Sequence, residues 1–335
     1  MLAPVVVCYD DTRVGRELPL KPPMRHFYEH HRSRRAKLDA VVRDISIEPG
    51  ELPMPPVGPE PERVYHYTGV TGLTGIIEGQ CLWASDVWYM NDSREALYGL
   101  RAIERALQAM TPGADLESHV HQAALDRLAD LGDQEDLLHS YIACLSKKRD
   151  DLSQWRAYGR PRGFSIGFDR QTLERIFPPI LEFDRASYRV ISYDEAVQNG
   201  MLADRFRLMV DLVPKAAPAA DAAGIAWLFI LESMLLTPAF KDKAFKDEDE
   251  VRLQILHNPE TGVWGRLKFR EGVMGLTPYV ELSLNDPGSD KISPIREIVV
   301  GPQPNQTEAI RAAKLLVERH GLDIEVRPSD IPLRS

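Results

Sequence analysis

Apolar and polar positions along the chain fall into short alternating runs separated by longer helical stretches. Residues 63–68, RVYHYT, read as a strand, 70–80, VTGLTGIIEGQ, as a short helix, and 81–85, CLWAS, as a second strand. SREALYGLRAIERALQAM (93–110) predicts an amphipathic helix capped by Asp92 or Ser93, and another helix fills 115–131. SYIACLSKK (140–148) reads as a strand, DLSQWRAYG (151–159) as a short helix ended by Gly159, and GFSIGFD (163–169) as a strand. After the strand ASYRVISY (186–193), the pattern is helical for most of 194–240. Alternation then returns in EVRLQILH (250–257), WGRLKFRE (264–271), PYVELSL (278–284) and IREIVVG (295–301). A final helix, TEAIRAAKLLVERHG (307–321), starts at Asn305 or Thr307 and stops at Gly321, and DIEVRP (323–328) adds one more strand.

Strands grouped late in the chain argue against a doubly wound parallel sheet. The expected fold is therefore α+β, a mixed and mostly antiparallel sheet core with flanking helices. Before it, residues 1–44 form a basic N-terminal arm, with Arg, Lys and His crowded between Arg25 and Lys37. Residues 45–62 form a linker, where prolines at 49, 53, 55, 56, 59 and 61 forbid a continuing helix. The main domain is then 63–335.

Composition narrows the class. With 44% hydrophobic and 27% charged residues the chain is that of a globular protein, not a disordered or fibrous one. A net charge of -9 argues against a surface built throughout for a nucleic-acid backbone, although the basic arm offers a local patch. Three cysteines without CxxC spacing encode neither a disulfide framework nor a zinc knuckle, so no metal is expected and a reducing cytoplasm fits. The most apolar stretch, GIAWLFILESMLL from Gly224, carries Glu232 and is short for a span, which predicts a buried helix and no membrane.

Several motifs invite chemistry. Gly69, Gly72 and Gly75 follow a strand and open a helix, yet match neither GxGxxG nor a P-loop, and helix packing explains them equally well. GFSIG matches the hydrolase GxSxG pattern, but Phe164, Ile166 and Phe168 alternate through Ser165 as one strand, which leaves a serine hydrolase as a minor alternative. Cys144, alternating with Ile142, reads as a buried, inert thiol. In KDEDEVRL an extended backbone puts Glu248 and Glu250 on one face, with Arg252 next along it to pair with Glu250.

The ordered signatures YHYTGVTGLTGII, LWAS, MNDSRE, CLSKKRDDLSQWRAYGRPRGFSIGFD, FKDEDEVRL, IREIVVGP and RPSDIP resemble the bacterial family numbered 2971 among the domains of unknown function. The resemblance runs from about Val64 to the C-terminus. Its layout is similar in turn to ADP-ribosyltransferases of the His-Tyr-Glu type, and implies that fold, with NAD as substrate. On this resemblance His66 is the histidine, followed two positions later by Thr68; Tyr158 or Trp155 is the aromatic, and Glu250 the glutamate. Glu248 is the second acidic residue. Tyr67 adjoins the histidine, Arg156, Arg160 or Arg162 pairs with the pyrophosphate, and Asn91 with Asp92 braces the site opposite His66. The implied activity is transfer of ADP-ribose to a protein or nucleic-acid acceptor, or hydrolysis of NAD, in a bacterial defence or toxin system. The alternative is a non-catalytic module that senses a nucleotide or binds a partner through the same cleft.

Overall fold

A computed structural model describes residues 60–335 other than 91–93, 132–139, 160–161, 179–184, 212–221, 257–265, 273–274, 286–292 and 333–335. The basic arm, most of the proline-rich linker, and Asn91, Asp92, Ser93 and Arg160 lie outside the described residues. All those described belong to the unit spanning Ile47–Ser335.

Ten strands are described: β1 (Arg63–Thr68), β2 (Cys81–Asp86), β3 (Ser140–Ser146), β4 (Phe164–Asp169), β5 (Ala186–Val190), β6 (Glu250–Leu256), β7 (Lys268–Gly272), β8 (Gly275–Ser283), β9 (Ile295–Val300) and β10 (Glu325–Pro328). The helices are α1 (Val70–Gly79), α2 (Arg94–Ala109), α3 (Leu116–Leu131), α4 (Leu152–Tyr158), α5 (Arg170–Ile176), α6 (Glu195–Asp211), α7 (Ala222–Leu236) and α8 (Gln306–Arg319). Every strand pairing is antiparallel except that of β9 with β10, so the expected mixed, mostly antiparallel sheet with flanking helices is present.

The position of β3 decides the architecture. One of its edges pairs with β6 along its whole length, from Ser140↔Leu256 to Ser146↔Glu250. The other is shared by two strands that meet only its ends: β2 pairs at Ser85↔Ile142 and Asp86↔Tyr141, and β1 at Tyr65↔Ser146. Between them, over Ala143–Leu145, no described strand pairs with that edge. The sheet is thus split into a β10-β9-β4-β1 half and a half built from β5, β6, β3, β2, β8 and β7.

Side-chain alternation gives the two faces of the second half opposite characters. Leu82, Ala84, Tyr141, Ala143, Leu145, Val251, Leu253, Ile255, Val280 and Leu282 join the main core, covered by Leu73, Ile76 and Ile77 of α1, Leu173 of α5, and Ala313 and Val317 of α8. On the other face lie Ser85, Ile142, Cys144, Ser146, Glu250, Arg252 and Gln254. Cys144 does share Ile142's face, as its spacing predicts, but that face is not the apolar core; the thiol is only partly buried. The buried helix expected from Gly224 is α7, which packs on α3 and α6: Phe206 meets Phe229 edge-on at 5.3 Å, and Arg127 lies 4.6 Å from the Trp227 ring centroid.

Two local features differ from expectation. The acidic run is not extended: Lys243–Glu248 forms a 3-10 turn started by Asp242, whose side chain accepts from Ala244 N, and Asp249 takes the left-handed φ of 46° before β6 begins. The α5 helix, capped by Asp169 accepting from Thr172 N at 2.8 Å, carries no apolar period long enough to announce it.

Two glycines make room for one indole, and a third makes room for one of the two. Cβ atoms added at Gly159 or Gly301 would come within 2.7 or 2.9 Å of the Trp155 ring, and one at Gly163 would overlap the Gly159 backbone. Gly163→Ala is therefore expected to cost about 1–3 kcal/mol by overpacking, read as a lower denaturant midpoint; an unchanged midpoint would refute this packing.

Candidate functional site

A cavity of about 490 Å³ opens where β1 and β2 part along β3. That volume lies within the range of small-molecule sites. Its walls come from β1 (Tyr65, His66, Tyr67), β2 (Trp83, Ser85), β3 (Ile142–Ser146), α4 (Gln154, Tyr158), the turn before β6 (Lys241, Phe245, Glu248), Glu250 of β6, and the β7–β8 hairpin (Arg270, Gly272, Thr277). His66, Tyr158, Glu248 and Glu250, which the sequence offered from three distant stretches, are brought to one cavity.

His66 replaces a missing strand contact. Its Nδ1 lies 2.9 Å from the Cys144 carbonyl oxygen, on the β3 stretch that β1 and β2 leave uncovered. A carbonyl only accepts, so Nδ1 carries the proton and Nε2 keeps its lone pair. Burial lowers the imidazole pKa, and the bond to Cys144 opposes this only in part, so the ring is neutral at pH 7. A ligand hydroxyl would therefore donate to Nε2.

Glu250 is 4% exposed and held by two cations. Lys241 Nζ lies 2.8 Å from Oε2, and Arg252 donates from Nε to Oε1 at 2.7 Å and from Nη2 to Oε2 at 3.1 Å. The pairing with Arg252 is the one the strand alternation predicts. Lys241 also donates to Glu248 Oε2 at 2.6 Å, which links both carboxylates through one ammonium. The 3-10 turn and the left-handed Asp249 bring Glu248 there, not the extended backbone expected. Burial alone would raise the Glu250 pKa, but Arg252 and Lys241 outweigh it and hold the carboxyl at about 2.

Tyr158 stands at the mouth, 43% exposed as a residue. Its hydroxyl pKa is raised by burial and then by Glu248, so it remains a phenol. The placement of Tyr158 is fixed at the start of α4, where Asp151 accepts from Ser153 N and Gln154 N. Tyr67 secures the same corner: its hydroxyl donates to Lys148 O at 2.9 Å and accepts from Asp151 N at 3.0 Å. Only its ring is left for a ligand.

Other expected residues lie elsewhere. Trp155 is 4% exposed and packs with Tyr65, Tyr67 and Val299, its Nε1 donating to Asp150 Oδ1 at 2.6 Å. Between the two aromatic candidates, the cavity therefore takes Tyr158. Arg156 is exposed and outside the cavity wall, because Gln154 and Tyr158, four apart, share the inward face of α4 and Arg156 falls opposite. Arg162 is likewise exposed and not part of the wall. Thr68 abuts Gly72 of α1, so that glycine is a packing position and not a phosphate cradle. Asn91 lies outside the described residues. Ser165 is fully buried in continuous β4 and donates to Arg149 O at 3.1 Å, without the exposed turn a nucleophile elbow needs.

Sequence reasoning missed Lys241, Arg270, Trp83 and Asp150. Asp150 Oδ1 accepts from Trp155 Nε1 and from Ser329 Oγ (2.7 Å), while Oδ2 accepts from Asp330 N at 2.6 Å. The closing RPSDIP stretch thus clamps the approach to α4.

Residues 154–253 match the model of the family described as Protein of unknown function (DUF2971), the family that the ordered motifs resemble. The matched stretch begins in α4 and ends in β6, so it holds Tyr158, Lys241, Glu248 and Glu250 but neither His66 nor Arg270. No curated protein matches the chain. No solved structure matches it.

The Glu250 cluster makes stability depend on pH with a defined sign. A carboxyl held at about 2 in place of 4.5 contributes fully above about pH 4.5 and loses that contribution as pH falls toward 2. Denaturant titrations over this window should show parent stability declining. Glu250→Gln should be less stable at neutral pH and show a flatter decline, and parallel curves would exclude the cluster as the source.

Proposed function

We propose that the cavity binds a dinucleotide such as NAD and that the chain cleaves its nicotinamide–ribose bond, passing ADP-ribose to a protein or nucleic-acid acceptor or to water. The observation that carries this reading is that His66, Tyr158 and Glu250, the histidine, aromatic and glutamate of an ADP-ribosyltransferase-like layout, line one cavity. Serine hydrolysis has no such support, since Ser165 is sealed in the sheet.

Each residue has a part in keeping with its surroundings. The Tyr158 ring, exposed at the mouth, offers a face on which nicotinamide stacks. Neutral His66 accepts from a ribose hydroxyl through Nε2 and orients the sugar, which needs no proton exchange. As the bond to nicotinamide breaks, its electron pair leaves with the base and positive charge spreads over C1′ and the ring oxygen. The ionised Glu250 carboxylate stabilises that charge as it forms. Lys241 must loosen its hold for this to act fully, and Glu248, already 2.6 Å from the ammonium, keeps that ion paired meanwhile. An acceptor nucleophile or water then bonds to C1′ and gives up its proton to solvent.

The second reading, a non-catalytic nucleotide-binding module, is favoured by one fact: Glu250 is already neutralised by two cations. Incubation with NAD separates the two. Nicotinamide release above background, reduced about 100-fold or more in folded Glu250→Gln and unchanged in Arg156→Ala, is expected for the enzyme. Background release by the parent, or equal rates in parent and Glu250→Gln, would leave the binding module.

A further inference from the structure

The wall of the cavity contributed by the β7–β8 hairpin carries a cation that the glycosidic chemistry does not use. Arg270 lies on β7 opposite Thr277 of β8, and both line the cavity with Ser85 of β2. Its Nη2 donates to Ser85 Oγ at 2.8 Å, and Nη1 lies 3.4 Å from the Glu271 carbonyl. Nε is buried and, among the described residues, meets no hydrogen-bond partner. The charged groups of the wall are Lys241, Glu248, Glu250 and Arg270. The first three are paired among themselves and with Arg252, whereas the described residues place no carboxylate in an ion pair with Arg270.

We infer that Arg270, steadied by Ser85, is the anion subsite of this cavity and receives a phosphate or pyrophosphate of the bound nucleotide. A guanidinium offers parallel N–H donors that match two phosphate oxygens, and a partly desolvated one gains more from such an anion than an exposed one. Thr277, 1% exposed, packs beside it with its hydroxyl donating to Gly275 O at 3.4 Å. Trp83 and Tyr89, 43% and 41% exposed, line the same cavity and give a base flat surfaces on which to stack. The ligand then spans the cavity between two chemistries: phosphate at Arg270 and sugar at Glu250. This rests on the nucleotide reading for the identity of the sugar and base, but not on any bond being broken.

Calorimetric binding of ADP-ribose, AMP and adenosine to the full chain tests it. The parent should bind ADP-ribose and AMP more tightly than adenosine, with the advantage shrinking as salt rises. Arg270→Gln should weaken ADP-ribose and AMP at least tenfold and leave adenosine unchanged. Arg270→Lys, a point charge in place of a fork, should fall between. Lys268→Gln, an exposed position on the same strand paired with Glu281, should match the parent. Slower amide exchange over 268–272 on adding ADP-ribose to the parent gives a readout that no variant's folding can disturb. ADP-ribose binding that is unaltered in Arg270→Gln, no preference for phosphate-bearing ligands, no binding of ADP-ribose, or no change in exchange over 268–272 would each overturn the assignment. Loss of nicotinamide release in Glu250→Gln bears on the enzymatic reading alone, since ADP-ribose binding is measured without it.

Discussion

A strand can offer hydrogen bonds along two edges, and β3 completes only one of them. With β6 paired over seven residues on one side, the other side is divided between β1 and β2 and uncovered in the middle. Backbone polar groups in a protein interior must find partners, so such a gap persists only if something fills it or water reaches it. His66 does the first for the Cys144 carbonyl, and the cavity allows the second. The hollow is thus a product of strand pairing, and the residues around it are those that happen to border a break in a sheet.

Strand alternation gives the cavity its polar floor. Alternation sends Val251, Leu253 and Ile255 into the core and Glu250, Arg252 and Gln254 to the opposite side. A row of buried polar groups is tolerable only when each is paired, and Glu250 obtains Lys241 and Arg252 for that purpose. Charge balance within the cluster keeps Glu250 ionised without leaving an isolated buried ion. The cost is that the glutamate is engaged before any ligand arrives, which is why a binding module and an enzyme share so much of this geometry.

Much of the fold was legible because its signals are local. Strand alternation located β1, β3, β4, β6 and β9, and Gly159 and Gly321 marked helix ends, since those patterns depend on residues a few positions apart. Residues of the candidate site were legible in part through the resemblance, with His66 a polar position in an apolar strand and Glu248 and Glu250 in an acidic run that leads into one. What escaped depends on distance in the chain. Arg270 looks like any charge in an edge strand until β8 joins β7 to β2 and brings Ser85 within reach. Lys241 and Asp150 gain meaning only from partners brought by a turn or by the C-terminal strand. Cys144 shows the complementary failure, where periodicity identified a face but not whether a core or a cavity lay against it, and Trp155, offered by the resemblance, packs in the core.

The clamp on Asp150 has a consequence for how the molecule is made. Ser329, which bonds to that carboxylate, follows it by 179 residues, and seven of the ten described strands are synthesised in between. On the ribosome the rim bearing Tyr158 therefore lacks this fastening until Ser329 has emerged. A nascent protein would carry the walls of its hollow long before the hollow acquires its finished edge.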